Sequence, residues 1–182
     1  MNMNFSVGPS SDTYYAHILA TTASGLLVGS SAWTSFGVMP SIIAAQTSSH
    51  AKLSIFDGLI KRTNTVIPAV TAVAASAFSY LAYYSASPTA GSSLTPGANA
   101  AYGIARRNLT IGAASLFAAL GLQVLILPLN NEVSEMVENG QGKEDNGEEA
   151  NKRIEQVWVL YAGRVALSAI AFGVGLTELY KL

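Results

Sequence analysis

Apolar residues gather into four runs, at about 17–39, 65–86, 108–129 and 157–179, and charged residues lie almost entirely between them or at their ends. At roughly 1.5 Å of rise per residue, a helix of about 20 residues spans the hydrocarbon layer of a bilayer. The pattern predicts an all-α, integral-membrane four-helix bundle that uses the whole chain, 1–182, as one domain. The first run exceeds a normal signal-peptide core, and no Lys or Arg precedes it, so it is expected to be a retained span. Aromatic residues suit the headgroup region, and Tyr14, Tyr15, Tyr83, Tyr84, Trp158 and Tyr180 mark the span ends. Pro40, Pro68 and Pro128 are expected at helix starts and stops, where a missing N–H costs least.

The connectors differ in kind. Ile55, Phe56, Leu59 and Ile60 fall at helical spacing within SIFDGLIKR, which predicts a short interfacial helix before span two. The segment 85–100 is a loop of small residues. The stretch 139–153 is polar and charge-dense, and is expected to be a mobile, solvated acidic loop. Lys52, Lys61, Arg62, Lys143, Lys152 and Arg153 stand on one side against Arg106, Arg107 and Lys181 on the other, so the positive-inside rule puts both termini away from the cytoplasm.

Half the residues are hydrophobic and only 12% are charged, which fits a membrane domain and leaves no basic face for nucleic acid. The chain has no cysteine, so thiolate chemistry and disulfides are excluded. No P-loop, GxSxG, GxGxxG or HExxH occurs, and two isolated histidines, His17 and His50, make no metal site. Glu132, Glu135 and Glu138 at i, i+3 and i+6 read as a solvated helical face. Gly25 and Gly29 form a GxxxG pair, and spans two and four are also rich in small residues, as tight packing in lipid requires. A homo-oligomer is compatible with such faces.

Arg164 falls about two turns into span four, between apolar residues. An unpaired cation there costs about 2.5–3.5 kcal/mol on insertion scales, so it must either face the bundle interior or reach back to the interface over Trp158. Tyr161, Arg164, Ser168 and Gly175 share one helical face, as do Asn108, Gly112, Ser115, Ala119 and Gln123 on span three. Gln123 needs an interhelical partner because lipid offers none. Beyond span three, Asn130 and Asn131 stand where amides can turn back toward the bundle mouth.

Taken in order, the MPS element at residues 39–41, IFDGLIKRTNTVIPAVTAVAASAFSYLAYYS, ARRNLTIG followed by LILPLNNEV, and VWVLYAGRVAL resemble the anthrone oxygenase family of small four-span membrane proteins. The resemblance covers nearly the whole chain, and its most specific elements are PLNNEV and the Trp158-to-Arg164 spacing. It implies a fungal polyketide-pathway monooxygenase of an endomembrane that converts an anthrone to an anthraquinone with O2 and no bound cofactor or metal. Its partners would then be a hydrophobic polycyclic aromatic substrate and membrane lipid. On this reading Arg164 stabilises the substrate anion, Asn131 donates a hydrogen bond, and His50 or Tyr161 moves the proton. Trp33 and Trp158 stand near the rim, and Asn108, Gln123 and Arg62 are further substrate contacts. The alternative is a non-enzymatic four-span protein that binds or scaffolds lipophilic metabolites.

Overall fold

The computed structural model describes residues 11–84, 96–143 and 145–181, with side chains described at 12–84, 102–143 and 145–181. Among the described residues there are only helices and turns. Helix α1 (Ser11–Ala32) runs through a π-helical segment (Trp33–Val38) into α2 (Met39–Ala44), and α3 (Ser49–Tyr84), α4 (Pro96–Glu138) and α5 (Glu148–Leu179) follow. Four helices are long and apolar enough to cross a membrane, Asp12–Ala44 forming the first. Helices of 32 to 43 residues are roughly 48–65 Å long, more than the roughly 30 Å a hydrocarbon layer requires. The expected bundle is present. Helices α1 and α4 stand at opposite corners, each packed against α3 and α5.

Two expectations change. The amphipathic stretch at 54–62 is helical but is continuous with span two inside the 36-residue α3, not a separate helix. The prolines do not stop their helices. Pro68 and Pro128 lie inside α3 and α4, and Pro40 sits in the first turn of α2, where Val38 and Met39 keep right-handed helical angles. Within a bundle in lipid, breaking a helix exposes more backbone than one proline does, so the chain keeps its helix and tolerates the lost bond.

The core divides into two apolar clusters. One gathers Ala20, Leu27, Ala74, Phe78, Leu109, Leu116 and Ala171, and the other Met39, Phe56, Ile60, Ile126, Val133, Ile154 and Tyr161. Between them, in every helix, comes a short interval of buried or half-buried polar residues: Ser31, Thr34 and Ser35, then Asn64, then Gln123, then Arg164 and Ser168. The bundle therefore carries a polar layer near mid-height.

Small residues set the helix approach. A Cβ built on Gly175 would stand 2.7 Å from Thr21 Oγ1 and 3.3 Å from its Cα, whereas one on Gly29 would meet nothing within 4 Å. Gly25 differs from its GxxxG partner in facing the Phe172 ring, at 2.9 Å. Gly175→Ala is expected to push α5 from α1 and cost about 1–3 kcal/mol by overpacking, with Gly29→Ala neutral. Thermal unfolding in detergent micelles would check this; equal midpoints would disprove the close contact.

The acidic loop keeps most of its charged residues exposed but is hydrogen-bonded to the start of α3, where it was expected to be free. The His50 amide donates to the Gly142 carbonyl (2.9 Å), the Ser49 amide to Asp145 Oδ1 (2.7 Å), and the Ala150 amide to Ser49 Oγ (3.2 Å). Lys52, 3% exposed, donates to the Ile43 carbonyl (2.9 Å) and to Asn151 Oδ1 (2.8 Å). Gly147 has φ 83°, and a Cβ there would lie 2.6 Å from the Thr47 carbonyl oxygen, so the loop depends on glycine at that position.

Asp145 acts as the cap of α3. Hydrogen bonds from the Ser49 hydroxyl and amide, with a smaller one from the Gly147 amide, hold its carboxyl below the usual carboxylate range. A depressed folded pKa contributes stability that is present above the unfolded value and is lost as pH falls through the folded one. Loop attachment is thus expected to be complete at neutral pH and to weaken below about pH 4. Limited proteolysis within 139–147 should quicken under acid in the wild type but not in Asp145→Asn, whose cleavage should be fast throughout.

Candidate functional site

The candidate site is the polar layer, and Arg164 is its centre. α5 places Arg164 on its inward face, one turn from Tyr161 and Ser168, and leaves it 3% exposed. Of the two outcomes open from sequence, the interior one is found. Its Nη1 donates to Gln123 Oε1 at 2.9 Å, and its Cζ lies 4.2 Å from the centroid of the Tyr161 ring, a cation–π contact. Gln123 Nε2 donates onward to Asn64 Oδ1 (3.1 Å), which also receives Asn130 Nδ2 (3.4 Å). Three helices thus contribute to one chain of hydrogen bonds ending on the guanidinium.

The chain leaves much unsatisfied. Arg164 Nε and Nη2, Ser168 Oγ, Ser31 Oγ, Ser35 Oγ and Asn130 Oδ1 are buried with no hydrogen-bond partner. Buried polar atoms are ordinarily paired, at a cost of about 1–3 kcal/mol each where they are not. Among the described residues no carboxylate makes an ion pair with Arg164. A buried cation without a counter-ion and with donors to spare can hold an anionic or strongly polar oxygen.

The expected site residues divide. Arg164, Tyr161 and Gln123 come together. Trp158 is half-buried one turn below Tyr161, packed on the second apolar cluster, with its Nε1 unpartnered. Asn131 is exposed. α4 continues past Pro128, so the inward position falls to its neighbour Asn130, 2% exposed.

His50 opens α3, 14 residues before Asn64, which puts it roughly 21 Å along the helix from the layer. Asn108 lies about as far in the other direction, where its Nδ2 donates to Glu178 Oε1 at 2.7 Å beside Lys181 (2.6 Å). Trp33 is 71% exposed on the outside of the bundle, and Arg62 is exposed also. Asn64, Ser31, Ser35 and Ser168 are layer residues that were not assigned a role from sequence.

Away from the layer, a groove of about 350 Å³ opens between the end of α4 and the start of α5, lined by Glu132, Glu135, Glu149 and Arg153 among others. Arg153 pairs with Glu132 (2.9 Å) and Glu149 (3.5 Å), and among the described residues no three acidic or histidine side chains are grouped to hold a metal. Compared with protein-family models, with curated proteins and with solved structures, the chain matches none.

Proposed function

We propose that the chain is a multi-pass membrane monooxygenase of an endomembrane that oxidises a polyketide anthrone to an anthraquinone with O2 and without a bound cofactor. The observation that carries the reading is the buried, acid-free Arg164 with its donors unspent, standing within the Trp158-to-Arg164 element of the family resemblance. An anthrone methylene is acidified by its carbonyl and two aryl rings. Loss of its proton puts negative charge on the carbonyl oxygen, where a preorganised guanidinium stabilises it. The electron-rich anion passes one electron to O2, the resulting radical and superoxide combine at the same carbon, and the peroxide anion takes back the proton first removed to become a hydroperoxide. Elimination of water then leaves the new carbonyl, so that CH2 and O2 become C=O and H2O.

Tyr161 is the better placed of the two proton-transfer candidates, being one turn from Arg164 while His50 is distant. The hydrogen-bonded amides of Gln123 and Asn64 fix the guanidinium, and the apolar clusters on either side suit a flat tricycle. Oxygen uptake and quinone formation from emodin anthrone in membranes holding the chain, against protein-free membranes, test the proposal. A rate several-fold above spontaneous oxidation, with one atom of ¹⁸O2 retained in the quinone, supports it, and a rate equal to the control refutes it for that substrate.

The second reading, a binding or scaffolding protein for lipophilic metabolites, draws on a specific observation. The layer is rich in donors, and among the described residues Tyr161 is its sole candidate base. Saturable anthrone binding without turnover would select it.

A further inference from the structure

Arg164 spends one nitrogen, Nη1, on Gln123 and leaves Nε and Nη2 without partners. Those two N–H groups lie along one edge of the planar guanidinium, and that edge is the fork that takes two oxygens side by side. Ser168, 1% exposed and one turn further along α5, adds an unpartnered hydroxyl on the same face. From the first span, Ser31 of α1 and Ser35 of the π-helical segment, both fully buried, add two more between the two apolar clusters.

Among the described residues no acid stands near enough to supply the missing counter-ion. Asp57 is held by Lys61 at 2.7 Å and by Ser134, and stands two turns of α3 from Asn64. Glu178 is held by Lys181 and Asn108, 14 residues along α5 from Arg164. One guanidinium balances one negative charge, a free fork calls for two adjacent oxygens, and the apolar clusters above and below call for a hydrocarbon body. A halide would leave the fork half used, and a phosphate dianion would bring more charge than one buried cation offsets.

We propose that the polar layer is a carboxylate site, in which Arg164 receives the headgroup of a lipophilic monocarboxylate through its Nε–Nη2 edge and the buried serines complete its shell. The proposal goes beyond anthrone oxidation and applies equally to an enzyme or a binding protein. In an oxygenase, such a carboxylate would compete with the substrate anion.

The test uses the full chain in nanodiscs with anthracene-9-carboxylate, whose fluorescence reports binding, beside its methyl ester and with bare nanodiscs as the partition control. Saturable binding is expected for the acid, about tenfold or more weaker for the ester, and about tenfold weaker in Arg164→Lys, which keeps the charge but loses the fork. Ser168→Ala, which leaves the hydrogen-bonded chain intact, should weaken the acid but not the ester. Equal binding of acid and ester, or an acid affinity unchanged in Arg164→Lys, would overturn the site. Emodin anthrone turnover in the same discs separates the two ideas. Turnover without acid binding ends the carboxylate proposal alone, and acid binding without turnover ends the oxygenase reading for that anthrone alone.

Discussion

Replacing Arg164 with Gln is expected to bring anthrone oxidation down to the spontaneous rate, a loss of about 10²–10³-fold in kcat. That is the usual magnitude for removing a preorganised donor from a developing oxyanion. Glutamine keeps length and polarity but removes the charge and the free edge. The substrate anion would then form in an interior whose remaining donors are neutral amides and hydroxyls. Arg164→Lys separates charge from geometry, since an ammonium offers a point charge without the fork. It is expected to retain part of the rate with a raised KM, while the Gln variant loses kcat. Stopped-flow absorbance at the quinone band, with both variants matched for folded protein by size-exclusion profile, would measure this. A Gln variant that turns over like the wild type would remove Arg164 from the chemistry altogether.

Gln123→Leu should be the most destabilising single change in the layer. Gln123 accepts the 2.9 Å hydrogen bond from Arg164 Nη1, and it also joins Arg164 to Asn64. Leucine fills a similar volume but strands a third guanidinium nitrogen and leaves the Asn64 carbonyl only its longer bond from Asn130. Hydrogen bonds to charged groups contribute about 1.5–3 kcal/mol, and the stranded charge adds to that. The double variant Gln123→Leu with Arg164→Leu removes both partners and should recover much of the loss, because no guanidinium is then left buried and unpaired. Unfolding midpoints in a fixed detergent for the two single variants and the double variant form a cycle. Strict additivity in that cycle would show that the 2.9 Å contact carries no coupling.

The frame of the protein was legible because its signal is long and repeated: twenty apolar residues read as a span whatever their phase. Arg164 and Gln123 were legible for a related reason, since a polar side chain deep in an apolar run must find a partner. Ser168 was legible with them as part of the inward stripe, but the buried serines of the first span were not. Ser24, Ser30 and Thr34 return their hydroxyls to backbone carbonyls three or four residues earlier, at 2.7–3.3 Å, so a serine in such a helix signals nothing by itself. Ser31 and Ser35 differ only in lacking that bond, which is a tertiary fact.

Asn130 and Asn131 show another limit. With a helix ending at Pro128 either amide can turn inward. Once the helix continues, the roughly 100° between neighbours buries one and exposes the other. Asn64 was hidden by its position beside Arg62, in what reads as a membrane edge until α3 is seen to be unbroken.

The π-helical segment Trp33–Val38 bears on how the first span came to fit its place. Leu27, Ser31, Ser35 and Met39 are all buried, at steady intervals of four. In a regular α-helix each such step drifts by about 40°, and three steps would carry Met39 well off the inward face. The wider turn takes up that drift with one surplus residue. Loss of one codon at the exposed Phe36 would close the segment to α geometry and leave Ser31, Ser35 and Met39 on the same side. A one-residue deletion is therefore expected to be tolerated here, where in a regular stretch of another span it would turn the inward face by about 100°.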